Sequence, residues 1–265
     1  MNVLINGINT FYIDTGNPDA LPIVFVHGMT LDHKMWQPQI EFFKNKYRVI
    51  AYDLRGHGKS EQGDYQYTHR QFADDLIELL NYLNIDHAVL CGLSMGGAVS
   101  LRTIEIYPER VYAMILCNTR SDPDSNETIY LRENSIQSIK TKGLKPFSDE
   151  FLRSIFSRDS FVKRPEIVRF IQNIILSNKP LSVCGTLLAQ AARTDTTPTL
   201  SKIKVQVLII SGENDTLTPP DIAKAMHDKI SDSQLRIIPD ASHISNLENT
   251  EEFNKLLLQF LEKLK

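Results

Sequence analysis

The sequence predicts an α/β protein: a mostly parallel, doubly wound sheet covered on both faces, with a helical cap inserted in it. Three observations carry that reading. Short apolar runs alternate along the chain with amphipathic helical stretches. The alternation breaks between about residues 120 and 200, where helix-like pieces occur without a clear β run. The 265 residues, 42% of them hydrophobic, suffice for one large domain with a smaller inserted lobe.

Taken in chain order, residues 3–15 read as a hairpin with Asn6-Gly7 as its turn. Residues 23–26, 48–52, 88–91, 113–117, 205–211 and 235–238 follow as buried strands, because a strand covered on both faces needs continuous apolar character. Phe72, Leu76, Leu79, Leu80 and Leu83 share one face of a helix. Phe253, Leu256, Leu257, Phe260, Leu261 and Leu264 do the same in the last one. These stripes are core packing rather than a cofactor site. Between 120 and 200, Gly143, Pro146, Pro165, Pro180 and Pro198 punctuate the helical pieces. That segment holds twelve Lys/Arg against nine Asp/Glu, in a chain of net charge −3. It is expected to lie over the carboxyl ends of the strands as the lid and walls of a pocket. The expected division is a core of residues 1–119 and 201–265 and a cap of residues 120–200.

Composition narrows the function classes. The slight negative charge leaves no electrostatic footprint for nucleic acid. No apolar stretch approaches the roughly 20 residues of a membrane helix, and Met1-Asn2-Val3-Leu4-Ile5-Asn6-Gly7 lacks the pattern of a signal peptide. Cys91, Cys117 and Cys184 have no metal-ligand spacing and read as buried, reduced thiols. No phosphate-cradling loop or metal-ligand cluster stands out, so no cofactor and no metal is expected. The expectation is a cytoplasmic protein acting on a small molecule, with no nucleic-acid or membrane partner; the oligomeric state stays open.

The chemistry begins at Gly92-Leu93-Ser94-Met95-Gly96-Gly97, which follows an apolar run and opens a helical stretch. A sharp strand-to-helix turn there lifts the Ser94 hydroxyl above the sheet in a strained conformation. Side chains two before and two after the serine would clash, which suits Gly92 and Gly96. The following helix aims free N–H groups at the place where an oxyanion would form. Ser94 therefore reads as a nucleophile, and a serine needs a base that is itself oriented by an acid. Asp215 follows one late β run and His243 the next, so both can reach the same sheet edge as Ser94. Their order, Ser, Asp, His, fits a known triad arrangement. Glu213 is the alternative acid, and Asp240 is read as shaping the histidine loop. His27 and His57 also follow β runs; His33, His69, His87 and His227 have surface or structural readings. The two N–H donors of an oxyanion hole are expected from Met95 and Met29, with Gly28 letting the backbone turn.

His27-Gly28-Met29, Asp53-Leu54-Arg55-Gly56-His57-Gly58-Lys59-Ser60, the Ser94 motif, Gly212-Glu213-Asn214-Asp215 and Ala241-Ser242-His243 together resemble the α/β-hydrolase superfamily. The resemblance covers about residues 21–118 and 203–262. Gly-Leu-Ser-Met-Gly-Gly with Ser242-His243-Ile244-Ser245-Asn246-Leu247-Glu248 is most similar to 3-oxoadipate enol-lactonase-like esterases. It implies the α/β-hydrolase fold, and it implies that the stretch from Asp53 to Ser60 is a structural loop. Dehalogenases and epoxide hydrolases of this fold place an aspartate where this chain has Ser94, which argues against haloalkane or epoxide opening.

The expected reaction is acyl transfer from a small ester or lactone to water, through an acyl-enzyme on Ser94. His243 acts as base and Asp215 orients it. The rate should fall as pH drops through the histidine range, about 6.5 for an unperturbed imidazole. Two alternatives stay open: a carbon–carbon bond hydrolase of ring-cleavage products and a slow-turnover ligand sensor, both of which would keep the same residues. Trp36, Leu217 and Ile244 are candidate substrate contacts, although each has a core reading. Arg120 and Arg193 are candidates for gripping a substrate carboxylate, against a reading as solvated surface arginines.

Overall fold

Asn6 and Gly7 take positive φ, 46° and 79°, the geometry that an Asn-Gly pair readily gives a two-residue hairpin turn. They join β1 (Asn2–Ile5) to β2 (Ile8–Thr15), which pair antiparallel with Ile5 opposite Ile8. The computed structural model describes residues 1–264. β3 (Pro22–Val26), β4 (Arg48–Tyr52), β5 (Ala88–Leu93), β6 (Val111–Cys117), β7 (Gln206–Gly212) and β8 (Ser233–Ile238) complete the sheet. Its order is β1-β2-β4-β3-β5-β6-β7-β8. β2 pairs antiparallel with β4, and every pair from β4 to β8 is parallel. The chain steps from β3 out to β4 and then returns past β3 to β5. Strand order therefore reverses between β3 and β5, where an open α/β sheet leaves a crevice beyond its carboxyl ends.

Helices α1 (Gln37–Phe43), α2 (His69–Tyr82) and α3 (Met95–Ile106) follow β3, β4 and β5. After β6 come α4 (Asn126–Lys142), α5 (Leu144–Ile155), α6 (Arg158–Lys163), α7 (Pro165–Ser177) and α8 (Pro180–Ala191), then the short α9 (Thr197–Leu200) before β7. The carboxyl end of the chain adds α10 (Pro220–His227), α11 (Ser245–Glu248) and α12 (Thr250–Leu261). Pro165 and Pro180 are the first residues of α7 and α8. There the missing N–H costs nothing and the fixed φ suits the helix.

The apolar stripes pack as their spacing predicts. Phe72, Leu76, Leu79 and Leu80 of α2, and Phe253, Leu256, Leu257, Phe260 and Leu261 of α12, are all buried. Each such side chain contributes roughly 1.5–3 kcal/mol when removed from water. Strands β3 to β7 are buried almost throughout. β8 differs from its expectation as a strand covered on both faces. It is the last strand of the sheet, and Arg236 and Ile237 are exposed. The three cysteines are free and buried. Among the described residues no helix is long and apolar enough to cross a membrane.

Candidate active site

Ser94 stands between β5 and α3 with φ 55° and ψ −116°. An L-residue held there stores about 1–3 kcal/mol of strain, so its surroundings must over-determine it. They do: the Ser94 N–H donates to the Cys117 carbonyl (2.9 Å), and the Thr119 hydroxyl donates to the Ser94 carbonyl (2.6 Å). The flanking glycines are steric necessities. A Cβ on Gly92 would lie 2.3 Å from the Gly96 carbonyl oxygen, and one on Gly96 would lie 2.1 Å from that of Val26.

Asp215 follows β7 and His243 follows β8, and the parallel pairing of these strands brings both to one edge. Asp215 Oδ2 accepts a hydrogen bond from His243 Nδ1 at 2.8 Å. The same oxygen accepts from Asn118 Nδ2 (2.8 Å) and the Thr218 hydroxyl (2.7 Å). Oδ1 takes the N–H groups of Leu217 (2.9 Å) and Thr218 (3.0 Å). Burial works to raise the Asp215 pKa, but the charge and hydrogen bond of His243, with the Asn118 and Thr218 donors, outweigh it and hold the group at about 2. An ionised carboxylate only accepts, so His243 Nδ1 carries a proton, and in the neutral imidazole Nε2 is then the acceptor. Nε2 is buried and without a hydrogen-bond partner among the described residues. Glu213, the alternative acid, is exposed and accepts from the Asp240 N–H instead (3.2 Å).

A folded pKa below the unfolded one stabilises the protein above the unfolded value, and that stability is lost as pH falls towards the folded one. For Asp215 the window runs from about pH 4, the unperturbed carboxyl, down to about 2. The difference in unfolding free energy between wild type and Asp215→Asn is expected to shrink by about 2 kcal/mol between pH 5 and pH 2. Urea titrations across that range would measure it, and a constant difference would contradict the assignment.

Met29 lies in the loop after β3, and its N–H has no hydrogen-bond partner among the described residues. Met95 opens α3, where the first N–H groups have no carbonyl one turn back. Both residues line the same cavity as Ser94. The turn in the β3 loop differs from its expectation. The positive φ falls on Thr30 (61°) rather than on Gly28. A Cβ on Gly28 would make only ordinary contacts, the nearest at 3.4 Å. His27 and His57 are struts. His27 bridges the Gly28 carbonyl and the Leu54 N–H, and His57 meets the Arg55 carbonyl. Burial lowers their pKa values to about 4 and about 3, so both are neutral.

The cavity has a volume of about 260 Å³ and runs from Ser94, Met29 and Met95 under α4, α5 and α8. Leu217, Arg120 and Arg193 line it, and so does Arg132 of α4. Arg120 pairs with Asp122. Arg132 and Arg193 share the carboxylate of Asp124, which is itself a cavity residue and 2% exposed. Arg193 is not a solvated surface arginine but is buried, and its Nε has no partner among the described residues. Three guanidiniums thus line the cavity, Arg120 paired with Asp122 and Arg132 and Arg193 sharing Asp124.

Trp36 and Ile244 must be corrected, since neither lines this cavity. The Trp36 ring is 0% exposed and packs in the core, 5.0 Å from the Phe25 ring and 6.1 Å from that of Phe253. Ile244 is buried at the start of α11, where its carbonyl accepts from Leu247 and Glu248. Sequence reasoning also missed Arg132, Asp124 and Asn118. Asn118 left a signal: a polar residue directly after a buried strand, at the edge where ligands bind. Asp124 and Arg132 meet only through the packing of a helix on its preceding loop, which no spacing rule reads.

Asp32, His33 and Asp53 place ligand-type atoms within 4.8 Å of one another. Their lone pairs are already engaged. Lys34 bonds both oxygens of Asp32, while His33 and the N–H groups of His33 and Lys59 bond Asp53. The bonds to Asp53 tie His33, after β3, to the loop after β4.

A serine on a strained strand-to-helix turn, with an Asp–His pair at the same end of a mostly parallel sheet, is the arrangement of a recognisable class of hydrolase architecture. The chain belongs to the alpha/beta hydrolase fold family, whose model matches residues 22–250. It is 32% identical to 3-oxoadipate enol-lactonase 2 of Acinetobacter baylyi over 245 residues, covering 92% of this chain and 89% of that protein. A malate-bound thermophilic esterase from Thermogutta terrifontis superposes with a TM-score of 0.95 at 33% identity, covering 100% of this chain and 98% of that one. The enol-lactonase from Burkholderia xenovorans LB400 gives 0.93 at 30% identity, covering 99% and 100%.

Proposed function

We propose that the protein hydrolyses a small carboxylic ester or lactone whose acyl or alcohol part bears a carboxylate. The observation that carries this reading is the cavity itself, where Ser94 shares one small space with Arg120, Arg132 and Arg193. In the proposed mechanism the Ser94 hydroxyl attacks the carbonyl while His243 Nε2 takes its proton. The imidazolium that forms is held by Asp215. The N–H groups of Met29 and Met95 receive the tetrahedral oxyanion. His243 then protonates the leaving alkoxide, and water, deprotonated by the same nitrogen, releases the acid from Ser94. The similarity to enol-lactonases and to a malate-bound esterase supports both the reaction and the charged substrate.

The test compares two esters that differ in one charge, p-nitrophenyl hexanoate and the mono-p-nitrophenyl ester of adipic acid. A hydrogen bond to a charged group is worth about 1.5–3 kcal/mol. Arg132→Ala and Arg193→Ala are each therefore expected to raise KM for the adipate ester about tenfold or more, with the hexanoate changed less than about twofold. Equal effects on the two esters would remove the carboxylate from the proposal.

A further inference from the structure

The loop that carries His243 is held by the inserted helices as well as by the sheet. Its backbone N–H donates to the Ile155 carbonyl at the end of α5 (3.1 Å). The preceding residue, Ser242, donates its N–H to Glu248 Oε2 (2.8 Å). Glu248 Oε1 in turn accepts from the Ser160 hydroxyl of α6. Among the described residues, these Ile155 and Ser160 bonds are the hydrogen bonds that join residues 144–164 to the loop at 239–249.

Around them the two parts stand open. A cleft of about 790 Å³ runs between Arg153, Arg158 and Arg164 on the helical side and Glu213, Asn214 and Asp240 on the sheet side. Ser160 is 0% and Glu248 4% exposed, so the joint itself is closed to solvent. A carboxylate in such a place is costly unless its oxygens find donors, and a plain apolar contact would glue the surfaces equally well. Glu248 does something an apolar contact could not. One oxygen reads the position of α6 and the other fixes the amide adjoining His243.

We propose that Ser160 and Glu248 form a latch through which the inserted helices position His243, so that seating of those helices and alignment of the base are one event. The inference rests on the proposed role of His243 as base. Glu248 is thus a positioning residue: it meets neither Ser94 nor the imidazole, and it acts through the Ser242 amide.

The test measures kcat and KM on p-nitrophenyl hexanoate, together with the rate at which a fluorophosphonate labels Ser94. Small misplacements of a reacting group can cost up to about a hundredfold. Ser160→Ala is expected to lower kcat and the labelling rate about tenfold with KM little changed, and Glu248→Ala to lower them about a hundredfold. Glu248→Gln can still accept from Ser242 and donate to Ser160, so it should recover most of the loss. The double variant Ser160→Ala/Glu248→Ala should be no worse than Glu248→Ala alone, because both act through one link. The latch is overturned if Ser160→Ala keeps wild-type kcat and labelling while its thermal midpoint falls, or if Glu248→Gln is as impaired as Glu248→Ala. Failure of the underlying hydrolase reading looks different, since wild type would then neither hydrolyse the ester nor label at Ser94.

Discussion

Ser94→Ala is expected to lower kcat for a small ester by about 10⁴-fold or more while leaving KM nearly unchanged. The variant removes the nucleophile but spares the cavity, the backbone donors and the Asp215–His243 pair. What activity remains would come from binding and oxyanion stabilisation alone. The backbone offers a second reading from the same position. Alanine keeps a side chain at φ 55° and so retains the strain, whereas glycine relieves it. Ser94→Gly should therefore exceed Ser94→Ala in stability by about 1 kcal/mol, after the entropy that glycine adds to the unfolded chain is subtracted. Steady-state kinetics and urea denaturation on the two variants check both statements. Hydrolysis at the wild-type rate by Ser94→Ala would end the nucleophile assignment.

Trp36→Ala is expected to be the more damaging change to the fold, at about 3–5 kcal/mol. The ring is fully enclosed between β3, α12 and its own segment, so deletion leaves a large cavity in well-packed surroundings. The indole N–H has no partner among the described residues. Trp36→Phe therefore sacrifices volume but no hydrogen bond, and should cost only about 1–2 kcal/mol. In folded samples of either variant, KM for a neutral ester should stay within about twofold of wild type, because the side chain is remote from the Ser94 cavity. A selective rise in KM with unchanged stability would restore Trp36 to the substrate site.

These two residues show what the sequence made legible and what it did not. Ser94 was readable because its requirements are local. A glycine two before and two after, a β run ahead and a helix behind are all written within a dozen residues. Asp215 and His243 are readable for a related reason, since each sits a few residues beyond a strand of the parallel part of the sheet. The buried strands follow from continuous apolar runs, and the two leucine-rich helices from periodicity. Trp36 was ambiguous because a large aromatic suits a core and a pocket equally, and only the positions of Phe25 and Phe253 decide. The exposure of β8 is not legible in its residues, because being last in a sheet is a property of the other strands. The arginine-lined wall was half visible: Arg120 and Arg193 were candidates, but Arg132 and the carboxylate that ties it to Arg193 depend on how α4 and α8 pack.

The groups around Ser94 are drawn from loops after β3, β5, β6, β7 and β8, so they span more than 200 positions of the chain between Met29 and His243. Such a centre is assembled by topology, and no contiguous segment contains it. A nascent chain ending near residue 200 already holds the serine turn but lacks both partners of the Asp–His pair. That pair comes together only when β7 and β8 have docked in parallel. The reactive constellation thus matures with the final strands of the sheet, so an incomplete chain emerging during synthesis carries the hydroxyl without its Asp–His partners.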